Sequence, residues 1–337
     1  MAMTSRFGAV LAGIFAAGVL CGEASAQQFT MKMSSPTIND VTHEMYKRVK
    51  AGIEARAGGK IKVEIYPANQ LGQIPAVVEG VALGTIEVGV AAIGFFVSLE
   101  PRFQLLDAPG LFDDVTHAYK VMTDPTIRER IAGFGADQGI EMITPGIYSQ
   151  LAILNHKPIR AVADFQGQKV RSPGGAAIQV EPYRKLGIIP VSLPLGDSLP
   201  AMQNKTIDGI ISGLAVFTNF KYYDIAKPVT YLPSTTLIAP AIINRQFLKT
   251  IGPELEKIVR EEFRKAEPVY ADWNLEDNKK GEELWKKNGG EIIIMSPEES
   301  KRYLDVVTAV SSQILSANPK IKADYEAFLE VGKKHRQ

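Results

Sequence analysis

The sequence holds one cysteine among its 337 residues, Cys21, and none after it. From Gly22 onward the chain therefore forms no disulfide, offers no thiol nucleophile and supplies no thiolate to a metal. Its four histidines, His43, His117, His156 and His335, are far apart. His43-Glu44 lacks the second histidine of a zinc-binding helix, so no metal and no cofactor are expected. There is no nucleophile elbow and no P-loop. Gly133, Gly135 and Gly139 follow a predicted helix and precede a predicted strand, the reverse of a dinucleotide loop. Lys plus Arg number 38 and Asp plus Glu 37, for a net charge of +1. That balance leaves no basic excess for nucleic acid and no charge run typical of a disordered tail. Beyond the N-terminal segment no apolar run approaches the roughly 18 residues of a membrane span. Internal repeats and low-complexity tracts are absent.

What is there begins with an export signal. Arg6 gives a positive start, Phe7 to Gly22 is almost wholly apolar or small, and Ala24-Ser25-Ala26 is a small-x-small cleavage site. The pattern predicts a signal peptide over residues 1–26 and a periplasmic protein starting near Gln27; an uncleaved anchor is the alternative. Leu20 before Cys21 argues against a lipoprotein signal. About 310 residues then remain, enough for two domains with their own cores.

Short strands alternate with helices. Phe29, Met31 and Met33 alternate as in a half-buried strand, and Ile61, Val63 and Ile65 do the same. Between them Val41, Met45, Val49 and Ile53 recur at helical spacing, and Gly58-Gly59 ends that helix. Pro75–Gly84 reads as a short helix, Ile86–Ile93 as a buried strand, Asp114–Asp137 as helix and Gly139–Thr144 as strand. Asp113-Asp114 suits a helix cap. An extended stretch, Ile140–Ile159, leaves this first unit. A second set follows: strand Gln168–Arg171, helix Ala176–Leu186, strand Ile188–Ser192, helix Ser198–Gln203 and strand Ile207–Ile211. The end is helical over Pro253–Asn288 and from Ser296 on, where Ser296, Pro297 and Glu299 spell a capping box. The alternation predicts an α/β fold of two lobes with a ligand cleft between them. Lobe I is expected over residues 27–150 with about 239–280, lobe II over 151–238 with about 281–310, and C-terminal helices over 311–337.

The stretch Phe165–Gly175, FQGQKVRSPGG, ends a predicted strand at Arg171 and runs into Ser-Pro-Gly-Gly. A guanidinium at a strand end beside a turn suits a carboxylate, which it meets with a two-pronged fork. An arginine paired with an acid at the surface is the other reading. Phe95-Phe96 follows a buried strand, so one ring is expected to face out of the sheet end and the other to enter the core. Tyr148, Phe217 and Phe220 with Tyr222-Tyr223 are further aromatic candidates, for core or site.

Four blocks then carry a resemblance. GGKIKVEIYPANQLG (58–72), FQLLDAPGLFDD (103–114), KPIRAVADFQGQKVRSPGG (157–175) and QNKTIDG (203–209) are similar, in order and spacing, to blocks of the DctP-type periplasmic solute-binding subunits of TRAP transporters. The resemblance spans nearly the whole chain after the signal. It implies the two-lobe periplasmic binding protein fold, a long hinge-spanning C-terminal helix and closure around an organic anion. It also implies delivery to small and large integral membrane subunits driven by an ion gradient, and gives Arg171 the role of carboxylate clamp.

Departures from the family pattern bear on the ligand. Ile211-Ser212-Gly213 stands where Glu-Asn-Pro is frequent, so Ser212 replaces a contacting Asn. Leu151 stands where some members carry a further arginine. Gly94-Phe95-Phe96 replaces a polar strand end, and Leu195 occupies the place of a pocket aromatic. A second ligand charge would lack its partner here. The expected ligand is a monocarboxylate with an apolar or aromatic body, held by Arg171 with Ser212, Phe95, Gly175, Leu195 and Phe217 around it; C4-dicarboxylates and sugar acids are disfavoured. Tyr148, Gln150 and Asn39 are expected to bond a hydroxyl or oxo group. A periplasmic enzyme and a binding protein feeding a sensor kinase are the other classes considered.

Overall fold

The computed structural model describes residues 28–336. The expected signal peptide, with Cys21, lies outside the described residues. Two mixed sheets organise the chain. In the first, β1 (Phe29–Ser34) lies between β2 (Ile61–Tyr66) and β3 (Val88–Val90), all parallel, and β10 (Ala241–Asn244) runs antiparallel between β3 and β4 (Ile140–Thr144). The second has the order β11-β9-β5-β8-β6-β7. Its strands are β5 (Ile147–Asn155), β6 (Lys169–Ser172), β7 (Ile189–Ser192), β8 (Gly209–Ser212), β9 (Pro228–Ile238) and β11 (Glu291–Ile293). Each sheet is the core of one lobe, as the alternating pattern predicts.

Helices cover both sheets. α1 (Val41–Arg56) buries Val41, Met45, Val49 and Ile53, the face read from their spacing, and Asp40 caps it by accepting from the His43 amide at 2.9 Å. α2 (Ile74–Leu83) has Pro75 in its first turn and stops at Gly84 in the left-handed region, φ 77°. The expected helix Asp114–Asp137 is two: α3 (Val115–Thr123) and α4 (Pro125–Ile131). Pro125 has no N–H to continue α3, and Asp124 ends one helix and caps the next by accepting from Thr126. The expected strand Ile86–Ile93 keeps only Val88–Val90 as ladder, after which Ile93–Phe96 tightens into a 3-10 turn.

The second lobe adds α5 (Ala177–Lys185), α6 (Leu195–Gln203) and α7 (Leu214–Asn219). The C-terminal half is α8 (Arg245–Ala266), α9 (Val269–Lys287), α10 (Pro297–Ser316) and α11 (Pro319–His335). The expected helix Pro253–Asn288 thus begins earlier, kinks at Gly252 and is cut at Pro268. α9 packs on α1 of the first lobe and on β5, α7 and β11 of the second, so it spans the hinge. At the start of α10 the Ser296 hydroxyl accepts from the Glu299 amide, as half of a capping box. Glu299 does not return to Ser296; its carboxylate accepts from the Val162 amide at 2.7 Å and fixes that loop to α10. Among the described residues no helix is long and apolar enough to cross a membrane.

Besides α9 and the passage from α10, packed on α5 and β9, to α11, packed on α3 and α4, two strand crossings join the lobes. The chain leaves the first sheet at Pro145-Gly146 and returns at Ala239-Pro240. β5 and β9 pair from Ile147 with Ile238 to Leu154 with Val229, so the crossings lie side by side.

Candidate functional site

A cavity lies between the lobes. It sits where the parallel strands end, the usual ligand position in open α/β sheets. Pro36 and Thr37 follow β1, and Ala91 and Ala92 follow β3. From the second lobe come Arg171 at the end of β6, Pro173 just after it, and Ser212 at the end of β8. Tyr148, Leu195 and Val216 add to that wall, and Leu237 and Ala239 of the second crossing close the back.

Arg171 is only 2% exposed. Its Nε donates to the Leu193 carbonyl at 3.0 Å and Nη1 to the Ile211 carbonyl at 3.3 Å. These bonds aim the guanidinium and leave most of its N–H donors without a protein acceptor among the described residues. No carboxylate pairs with it there, so the reading as an arginine neutralised by a surface acid does not hold. Burial pushes its pKa down to about 10, which still leaves it charged at neutral pH. A buried, uncompensated cation is costly, and an anion in the cavity would offset that cost.

Five expected residues, Arg171, Ser212, Phe95, Tyr148 and Leu195, line this one cavity. Phe96 is fully buried while Phe95 is half-buried against the cavity, as their position after β3 suggested. Gly175 lies further out, in the cleft mouth with Gly94, Ser192 and Pro194. Three others lie elsewhere. Phe217 is core, edge-on to Tyr222 at 5.9 Å and tilted against Trp285 at 6.3 Å. Gln150 donates to the Leu232 carbonyl at 2.9 Å, and exposed Asn39 donates its amide to His43 Nδ1 at 3.1 Å. Pro36, Thr37, Thr42 and Ile74 were missed. The signal that could have found them is position: three of the four follow closely on β1.

Tyr148 lines the cavity, but its hydroxyl donates to Asp40 Oδ2 at 2.8 Å. Burial and Asp40 both hold its pKa well above that of a free phenol. Asp40 thereby joins the cap of α1 to β5 of the other lobe. Tyr148→Phe should destabilise the chain by about 1.5–3 kcal/mol, because a buried carboxylate loses a donor. Chemical denaturation checks this; an unchanged stability would mean that another donor replaces the phenol.

Among the described residues no group of three or more His, Cys, Asp or Glu is placed to hold a metal ion. The lobes also touch around the cavity. Asn219 donates to the Ile38 carbonyl at 3.2 Å, and Gly196 lies so close to Gln73 that an added Cβ would stand 2.5 Å from its amide nitrogen.

Known proteins share this fold. A TRAP periplasmic solute-binding protein from Desulfovibrio salexigens, solved with bound orotic acid, superposes with a TM-score of 0.86 at 20% identity, covering 91% of this chain and 100% of that one. Another from Shewanella oneidensis, with bound succinate, gives 0.83 at 18% identity, covering 90% of this chain and 99% of that one. By sequence, the chain is 23% identical over 255 residues to the 2,3-diketo-L-gulonate-binding periplasmic protein YiaO of Escherichia coli, covering 75% of this chain and 77% of that protein. The family model DctP, described as bacterial extracellular solute-binding protein, family 7, matches residues 33–318. The chain therefore belongs to the DctP family, the periplasmic solute-binding proteins of TRAP transporters.

Proposed function

We propose that this chain is exported by its N-terminal signal to the periplasm, closes its two lobes around a small monocarboxylate with an apolar or aromatic body, and delivers it to TRAP membrane subunits. The observation that carries this reading is Arg171, a buried guanidinium without a described acidic partner, at the end of a largely apolar cavity. The ligand carboxylate takes the open fork. Its body meets Phe95, Leu195, Val216, Leu237 and Ile74. Ser212, Thr37 and Thr42 are the hydroxyl-bearing side chains near enough to address a second, uncharged polar group. No lining residue is an acid, a histidine, a lysine or a cysteine. A second carboxylate would therefore be buried unpaired, and no general acid–base pair is present for turnover. The bound orotic acid of the Desulfovibrio salexigens protein carries a single carboxylate, which agrees with the clamp, on a polar ring, which does not bear on an apolar body. Succinate in the Shewanella oneidensis protein and D-glucuronate in one from Pseudomonas putida keep dicarboxylates and sugar acids as the competing class.

A thermal-shift screen against organic acids sorted by charge and side-chain polarity tests the proposal. A ligand at a hundredfold excess over its Kd stabilises the folded chain by about 2.7 kcal/mol. Aromatic or branched monocarboxylates are expected to raise the midpoint most. Shifts confined to dicarboxylates or sugar acids would overturn the apolar-body assignment and leave the carboxylate clamp standing.

A further inference from the structure

Phe95 stands in the 3-10 turn Ile93–Phe96 that follows β3. Its neighbours fix the turn from two sides. Phe96 is fully buried in the first lobe. Gly94 lies against Gln179 of α5, and a Cβ there would stand 1.8 Å from Gln179 Nε2. Gln179 is itself held. It is 4% exposed, its Nε2 donates to Asp107 Oδ2 at 2.8 Å, and a Cβ on Gly174 would stand 2.1 Å from its Oε1. The Phe95 amide donates to the Ala92 carbonyl at 3.0 Å. The backbone of the turn is therefore set, and the half-buried Phe95 ring is the part of it with room to move.

Two spaces meet at that ring. The inner one is the cavity that holds Arg171. The outer one is the cleft mouth, lined by Val97 and Ser98 from the first lobe and by Gly174, Gly175 and Ser192 from the second. Their walls run on from one to the other. Ile74 of the inner space is followed outward by Pro75, Pro173 by Gly174, and Leu195 is preceded by Pro194. Among the described residues Phe95 alone lines both spaces. On the second lobe, Gly174-Gly175 has no side chain to divide them in its place.

We infer that Phe95 is the length gate of the site: its ring ends the inner cavity and restricts the chain to carboxylic acids with a short, compact body. This rests on the carboxylate-clamp reading above and adds the length of the acid to it. The cause is steric. With its carboxylate on Arg171, an acid extends along the apolar walls, and each CH2 buried there strengthens binding about fourfold. The gain stops at the ring, because a longer body has to push Phe95 off its packing against the core. The gate acts on length and not on charge, which separates it from the clamp.

Titration calorimetry of the purified chain tests the gate, with sodium salts of straight-chain monocarboxylates from acetate to octanoate and of dicarboxylates from malonate to suberate. In the wild type affinity should rise with length, peak at a short member and fall beyond it. In Phe95→Ala the peak should move to longer acids, so that an acid two CH2 groups past the wild-type optimum binds about 15-fold tighter than that optimum acid. Phe95→Leu keeps an apolar side chain of smaller reach. It should shift the peak less, and it covers the case in which the alanine chain does not fold. A ring that serves packing alone would weaken every acid by a similar factor. That outcome, or a peak at the same length in all three chains, overturns the inference. A peak that shifts in the dicarboxylate series only would uphold the gate and count against the monocarboxylate assignment. Absence of binding in both series would overturn the carboxylate clamp, and the gate with it.

Discussion

Arg171→Met is expected to abolish carboxylate binding while leaving the ligand-free chain at least as stable as the wild type. The two effects have one cause. The guanidinium is buried without a described acid, and burial pulls its pKa down to about 10, a shift on the order of 3 kcal/mol against the charged form. Methionine fills similar space without that penalty. It forfeits the bonds to Leu193 and Ile211, each worth about 1 kcal/mol, so the net change in stability is small or favourable. Binding goes the other way. A carboxylate entering the cavity would lose its only cation, and removing one partner of a buried charge pair costs about 2–5 kcal/mol, or 30- to several thousand-fold in affinity. Arg171→Lys keeps the charge and loses the fork, and should fall between. Titration calorimetry with the strongest acid from the screen, beside denaturant unfolding of the free chains, reads both. Unchanged affinity in the methionine variant would remove Arg171 from the site; a large loss of stability would mean that the cation is compensated in the free protein.

Gly146→Ala is expected to be the most damaging single methyl addition at the hinge. Gly146 sits between β4 and β5 with φ 57°, and a Cβ there would lie 2.0 Å from the Ala239 carbonyl oxygen and 2.6 Å from the Pro240 Cα. Those atoms are backbone of the neighbouring crossing, and the Ala239 amide donates to the Gly146 carbonyl at 2.7 Å. A flexible side chain could move aside; two crossings bonded to each other cannot. Left-handed strain adds about 1 kcal/mol to the clash. The sum is about 3–5 kcal/mol, the range kept for changes with a named steric cause. At about 2–4 °C per kcal/mol for a chain of this size or somewhat smaller, the midpoint should drop by roughly 6–20 °C. Thermal unfolding measures it. A drop of a degree or two would mean that the crossings can separate, and that the hinge is looser than their pairing implies.

Much of this was legible in the order of residues. Alternation at Phe29, Met31 and Met33 and helical spacing at Val41, Met45, Val49 and Ile53 follow from one-dimensional periodicity, and both elements formed as read. Pro125 and Pro268 were equally visible as breakers, and two helices read as continuous are cut at them. Arg171 and Phe95 were legible because strand ends are where α/β folds place ligands. Phe217 was not: the ring that decides its role, Trp285, lies far along the chain. The same holds for Tyr148, a good candidate by placement, whose hydroxyl is engaged by Asp40.

The sequence by itself determined the alternating elements, the carboxylate-suited arginine and the family, because each is written in local spacing or in short ordered blocks. The tertiary structure alone decided that Arg171 has no acidic partner among the described residues, that Gly146 faces the backbone of the returning crossing, and that Gln179 meets Asp107 between two glycines. Each of these is a relation between residues brought together only when the two sheets fold toward each other, and side-chain direction and desolvation are fixed at that step and not before.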